Sequence, residues 1–209
     1  MRDIPLFTTE NGVATLFLKN VPITKSAYIK VQDTLKPEAF VKECCDFCKA
    51  VGADEIYCNL AFYGDDCLRI ISMARSKAGI PETAAQLIPV QERTMELWRE
   101  IYNRKMKNIS NASQIMQEES GKYLKTGGCY FVEKNGLQIG IGMLKDNRIE
   151  ALASVSKGAG KDVLLALCNG LQTETIELSV AEENEKAIEL YKAIGFAFKE
   201  VLETWYKIF

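Results

Sequence analysis

The 209-residue chain contains no histidine. That absence excludes a Ser-His-Asp triad, a Cys-His dyad and any His-based metal site. Acid–base chemistry must then come from Glu, Asp, Tyr, Lys, Cys or water. Long apolar runs are missing as well. The longest stretch without a charge is Val163–Thr173, 11 residues, whereas a spanning helix needs about 20 apolar residues. No membrane association is expected. An excess of one charge is also lacking: residues 1–85 carry 10 basic and 11 acidic side chains, and residues 86–209 carry 16 and 17. Neither half has the basic surplus of a nucleic-acid binder. The cluster Arg99, Arg104, Lys105 and Lys107 lies late in an expected helix, where cations complement the helix dipole. Met1-Arg2-Asp3-Ile4-Pro5 lacks the basic and then apolar stretches of a signal peptide, so a cytoplasmic protein is expected.

The remaining composition is that of an ordinary globular chain, with 47% hydrophobic and 26% charged residues. The length suits one large domain or two small ones. Seven cysteines in a cytoplasmic chain are most simply reduced thiols. Cys44-Cys45-Asp46-Phe47-Cys48 contains a CxxC, with Cys58 and Cys67 further on. However, Phe40, Cys44, Cys48 and Val51 recur at helical spacing behind Pro37, and cysteine packs as a small apolar residue on such a face. No second CxxC completes a zinc site, and no metal is expected.

The first 85 residues read as a small α/β unit. Val13–Leu18 and Ala27–Val31 are strand-like around a turn at Asn20–Lys25. Pro37 opens a helix that Gly52 closes. Glu55–Leu60 and Asp65–Arg75 follow as strands, and Ala78–Thr83 as a connector. A second unit, residues 86–209, starts with a short strand, Gln86–Val90. Helix Glu92–Lys107 carries Met95, Trp98 and Tyr102 on one stripe. Asn108–Ser113 punctuates, and Ser113–Leu124 is a second helix. Cys129–Lys134, Leu137–Leu144 and Ile149–Val155 form a meander whose first turn, Asn135-Gly136, is a strong hairpin signal. A glycine-rich turn, Ser156–Gly160, leads into a helix from Lys161 to about Leu171. Strand Thr175–Val180, helix Glu185–Ile194 and strands Ala197–Glu203 and Trp205–Phe209 complete the chain. Strand, helix, strand recurs in the front half, which suggests a worn partial copy of the back half without its glycine turn.

The stretch Asn184-Glu185-Lys186-Ala187-Ile188-Glu189-Leu190-Tyr191-Lys192-Ala193-Ile194-Gly195-Phe196 is a short amphipathic helix with a good N-cap and a good C-terminal glycine. It also resembles the closing motif of the GNAT superfamily of acyl-CoA N-acyltransferases, N-x-x-A-x-x-L-Y-x-x-x-G-F, at every fixed position. The order of elements from Gln86 to Phe209 resembles that family too. The resemblance implies a mixed α/β (α+β) fold with a GNAT domain over residues 86–209, preceded by a unit that resembles a degenerate GNAT half. The family's pyrophosphate turn, R/Q-x-x-G-x-G/A, is degraded here to Val155-Ser156-Lys157-Gly158-Ala159-Gly160. Glycines let backbone approach a phosphate, and free helix N-terminal amides bind it. Asp162, in the first helical turn, competes for that place, and Lys157 and Lys161 offset it in part.

The resemblance implies acetyl transfer from acetyl-CoA, a cosubstrate, directly to a primary amine on a small molecule or peptide. It places pantetheine along Ala153, Ser154 and Val155. Pyrophosphate falls at Lys157, Gly158, Ala159, Gly160 and Lys161. It makes Tyr191 the acid for the leaving thiolate and Glu150 the base for the amine, and brings Asn184 near pantetheine. Two alternatives stand beside it: a non-catalytic sensor of CoA or a metabolite, and a structural module whose N-terminal unit forms a homodimer.

Overall fold

The computed structural model describes residues 1–61, 66–110 and 112–209. Asp65, where a strand was expected to start, and Asn111, within the expected break, lie outside them. The chain divides into two compact units. The first takes residues 1–70, 107–114 and 201–209; the second takes 71–106 and 115–200. The divisions at 70/71 and 200/201 fall inside strands.

In the first unit, β1 (Ile4–Thr9), β2 (Gly12–Phe17) and β3 (Ser26–Thr34) form an antiparallel meander. A four-residue helix, α1 (Val21–Thr24), replaces the expected turn between β2 and β3. Helix α2 (Pro37–Ala50) then crosses to β4 (Glu55–Cys58), which runs parallel to β3. The C-terminal end of the last strand of the chain pairs antiparallel with β4, Tyr206 beside Cys58 and Lys207 beside Tyr57. Ala14, Leu16, Ala27, Ile29, Ile56 and Cys58 of the sheet bury against Phe40, Val41, Cys44 and Cys48 of α2. β1 is an edge strand, which is why it tolerates Pro5.

The second unit repeats the same plan. β5 (Cys67–Ser76) enters it, and β6 (Gln86–Pro89) precedes α3 (Glu92–Met106). The expected helix from Ser113 begins later, as a 3-10 turn at Gln117–Glu119 and α4 (Ser120–Thr126). Asn103 explains the delay. Its side chain donates to Ile115 O at 2.9 Å and accepts from Ile115 N at 2.8 Å, which holds that residue's backbone out of a helix. β7 (Cys129–Lys134), β8 (Leu137–Lys145) and β9 (Arg148–Ser154) form the meander. Helix α5 (Gly160–Gly170) leads to β10 (Thr175–Ala181), parallel to β9. α6 (Glu185–Ala193) and a single strand, β11 (Ala197–Lys207), follow where two closing strands were expected. Strand order in this unit is β5-β10-β9-β8-β7-β6. Val163, Leu164, Leu167 and Cys168 of α5 bury against Val132, Leu144, Ile149, Ile176 and Leu178.

Cys44 and Cys48 are fully buried in the first core, and all seven cysteines are free thiols. No group of three or more metal-ligating side chains occurs among the described residues. Burial pushes the thiols of Cys44 and Cys48 up to about 12, and those of Cys129 and Cys168 up to about 11. A buried neutral thiol is a poor nucleophile. Iodoacetamide at pH 8 should therefore leave these four unlabelled in the native protein and modify them after unfolding, as read by peptide mass spectrometry. Their folded pKa values exceed the unfolded ones, so their contribution to stability is complete below about pH 8.5 and is lost as pH rises toward the folded values. Among the described residues no helix is long and apolar enough to cross a membrane.

Candidate functional site

A single extra residue shapes the middle of the second unit. β8 and β9 pair Leu144 with Ile149 and Met143 with Ala151, so Glu150 has no partner and forms a bulge. β9 and β10 pair only at Arg148 with Glu177 and Ile149 with Leu178. The parallel pairing thus ends where the bulge begins. Beyond it, Leu152–Ser154 stay in register with β8 alone, and no pairing joins them to Ser179–Ala181. Bulges bend a strand and terminate pairing, and they recur beside active sites.

The closed end of this opening is clamped by charge. Glu177 accepts from Arg148 Nη1 at 2.9 Å and from Lys199 Nζ at 2.9 Å. Hydrogen bonding to Lys199, then the charges of Lys199 and Arg148, hold its carboxyl below the usual range. The open end leads to the glycine turn. Gly158 adopts φ +80°, a conformation that favours glycine, and a side chain there would meet no neighbour. α5 starts at Gly160, and no side chain caps it. Its first-turn amides are therefore available to an anion. By contrast, Val155 N and Ser156 N both donate to Ile139 O, at 2.9 and 3.4 Å. Asp162 is turned aside: its carboxylate takes Lys134 Nζ at 2.8 Å and Thr83 Oγ1 at 3.3 Å. The hydrogen bond from Lys134 is the main reason its carboxyl sits below the usual range. Lys157 and Lys161 are exposed beside the turn.

Ala153 and Ser154 lie half-buried on the part of β9 unpaired with β10, and Val155 follows them into the turn. Asn184 is the N-cap of α6, its side chain accepting from Ala187 N at 3.3 Å. Tyr191 is 8% exposed, and its ring lies 6.1 Å from that of Phe196. Burial raises its phenol to about 12, and among the described residues its hydroxyl has no hydrogen-bond partner. Glu150 projects from the bulge with Arg148 Nε at 3.5 Å.

Two residues that the sequence reading did not single out for chemistry gather near Glu150. Tyr102 on α3 is pushed up to about 12, first by burial and then by nearby Tyr123, Cys129 and Glu150. Tyr123 on α4 is raised by burial, Glu119, Cys129 and Glu150. Tyr102 carries only a core signal in the sequence, as part of a helical stripe. Tyr123 carries none.

The first unit offers an instructive contrast. Its β3 and β4 occupy the places of β9 and β10 in the repeated plan. They stay paired from Ser26 with Glu55 to Ile29 with Cys58. Asn59 then continues the seam: Asn59 N donates to Ile29 O at 3.3 Å, Val31 N donates to Asn59 Oδ1 at 2.8 Å, and Asn59 Nδ2 donates to Val31 O at 3.0 Å. Pro37 also opens α2 without an amide hydrogen. From Ser26 to Val31 and from Glu55 to Asn59 this pair of strands has no opening.

No protein-family model and no curated protein matches the chain. Solved structures do. A GCN5-related N-acetyltransferase from Sphaerobacter thermophilus aligns over 93% of this chain and 75% of its own, at 11% identity and TM-score 0.55. A GNAT-family acetyltransferase from Colwellia psychrerythraea aligns over 98% and 84%, at 12% identity and TM-score 0.54. A tandem GNAT protein from the clavulanic acid biosynthesis pathway aligns over 93% and 78%, at 12% identity and TM-score 0.51. The chain has the GNAT fold, and the tandem neighbour agrees with its two-unit layout. At these identities the likeness concerns the fold and leaves activity to the site itself.

Proposed function

We propose that the second unit transfers a short acyl group, acetyl in the simplest case, from acyl-CoA to a primary amine. The observation that carries this reading is the bulge at Glu150, which ends the β9–β10 pairing and frees a strand edge beside an uncapped helix N-terminus. The unpaired edge at Ala153 and Ser154 suits the amides of pantetheine. The turn at Gly158–Lys161 suits pyrophosphate, and the commitment of Asp162 to Lys134 removes its competition there. The bound thioester supplies the electrophile; no covalent enzyme intermediate is needed.

In this reaction the amine nitrogen attacks the thioester carbonyl and the C–S bond breaks. Glu150 takes the amine proton, directly or through one water. Tyr191 faces the departing sulfur as donor. Its phenol at about 12 is a weaker acid than a thiol near about 8.5. Tyr191 therefore stabilises the sulfur by hydrogen bonding as the bond breaks, and holds its proton firmly before then. Tyr191→Phe should lower kcat by about 10- to 100-fold while the Kd for acetyl-CoA changes little, a difference confined to the transition state. Equal turnover in mutant and parent excludes the role. Glu150→Gln should lower kcat more severely at neutral pH than at pH 9, where a larger fraction of the amine is already neutral.

Calorimetric titration with acetyl-CoA tests the whole reading. Binding should saturate at one molecule per chain, because β3 and β4 are sealed by Asn59. Failure to bind at millimolar ligand rejects it. A second reading, a CoA-binding unit without turnover, is favoured by the burial of Tyr191, which raises its phenol to about 12 and makes it a poor acid. Binding without acyl transfer across an amine screen selects it.

A further inference from the structure

The first unit contains a cavity of about 470 Å³ on the sheet face opposite α2. Its floor is a square of side chains from two paired strands: Ser26 beside Glu55, and Tyr28 beside Tyr57. The two phenol rings stack, with centroids 5.0 Å apart and planes 15° from parallel. The segment carrying Lys107 forms the opposite wall. Asn20, also in the lining, ties that segment down: it donates to Ala112 O at 3.1 Å and accepts from Gln114 N at 3.2 Å. The wall is thus fastened to the unit that supplies the floor.

The charges decide what fits. Glu55 Oε1 is held by Lys207 Nζ at 2.5 Å. Among the described residues Glu55 Oε2 receives only long contacts, from Ser26 Oγ at 3.4 Å and Tyr57 Oη at 3.5 Å. These lie at the outer limit of hydrogen bonding, and an ionised carboxylate has further acceptor sites. Oε2 can therefore take an ammonium. Lys107 has no ion pair or hydrogen bond among the described residues and offers a cation to a carboxylate. A phosphate would face Glu55, and a polyamine would face Lys107 and Lys207; each meets a like charge. A ligand bearing one ammonium and one carboxylate meets a partner at both ends, and its side chain lies on the Tyr28–Tyr57 stack.

We propose that this cavity is a binding site for a free α-amino acid, separate from the acyl-transfer chemistry of the second unit. The probes are the twenty standard L-amino acids at millimolar concentration, screened against the full chain by thermal unfolding. Calorimetry follows with the strongest, beside its decarboxylated amine and its deaminated acid. At least one amino acid should raise the unfolding midpoint, and both truncated analogues should bind about tenfold or more weakly, the loss expected for one charge-assisted bond. Glu55→Gln and Lys107→Gln should each weaken binding by a similar factor. Lys107→Gln is the decisive variant, since among the described residues Lys107 has no partner whose loss could disturb the fold. If no amino acid shifts the midpoint, or if Lys107→Gln binds as tightly as the parent, the proposal is wrong. The latter result would place any bound amino acid elsewhere, as an acceptor in the second unit. Neither outcome depends on whether acyl-CoA binds.

Discussion

Gly160→Asp should abolish acyl-CoA binding while leaving the protein as stable as the parent, or slightly more so. The two effects have opposite signs for one physical reason. Gly160 is the first residue of α5, where backbone amides are uncapped by side chains. In the free protein a carboxylate there complements the helix dipole, worth about 0.3–1 kcal/mol. The added Cβ would meet only Leu190 Cδ2, at 3.3 Å, the far end of a half-buried side chain that can give way. With pyrophosphate present the same carboxylate occupies the anion's place and repels it. Loss of two charge-assisted bonds at about 1.5–3 kcal/mol each corresponds to at least about a hundredfold weaker binding. Gly160→Ala separates charge from bulk: it should bind within a few-fold of the parent. Calorimetry and thermal unfolding of both variants check the pair of signs. Unchanged affinity in Gly160→Asp removes this turn from the site.

The parts of this molecule that were legible in the sequence are those governed by local chemistry. Asn135 and Gly136 both adopt positive φ, 54° and 74°, as the hairpin signal requires. Asn184 caps α6, and Gly195 follows it at φ +93°. Cys44 and Cys48 are core residues because their spacing matches a buried helical face. What was not legible depends on partners distant in the chain. Pro5 argues against a strand, and β1 exists only because it needs one neighbour. The bulge at Glu150 leaves no trace in Arg148-Ile149-Glu150-Ala151-Leu152, since the small residues that follow it, Ala151 and Ala153, blur the alternation. The register with β8 reveals it. Tyr102 and Tyr123 are joined to Glu150 only through the packing of α3, α4 and β9. Residues 107–114 and 201–209 join the first unit although they are remote from it in sequence. The cavity beside Glu55 is therefore invisible to any reading that takes the chain in order.

Adding a methyl group under α5 should be more damaging than any surface change. Gly140 and Gly142 let α5 lie directly on β8. A Cβ at Gly142 would sit 2.3 Å from Leu167 Cδ2 and 2.6 Å from Leu167 Cδ1. Leu167 is fully buried, so its rotamers have no free space. A Cβ at Gly140 would sit 2.4 Å from Val163 Cγ2 and 2.8 Å from Ala153 O. Val163 is β-branched and stiff at χ1, and the second obstacle is backbone. Overpacking of this kind costs about 1–3 kcal/mol and sometimes more. Gly142→Ala should fall within that range, and Gly140→Ala at or above its upper end, because β9 itself must shift. Urea unfolding curves of the two variants check the order. The consequence for function follows from the same contact. Ala153 lies on the edge that would hold pantetheine, and α5 carries the amides that would hold pyrophosphate. Gly140→Ala presses on both. It should weaken acyl-CoA binding even in the fraction that remains folded, whereas Gly142→Ala, one turn further along α5, should chiefly lower stability. Equal affinity losses in the two variants would mean that β9 and α5 move as one body. A loss confined to Gly140→Ala would locate the tolerance limit of the site at the β9 backbone.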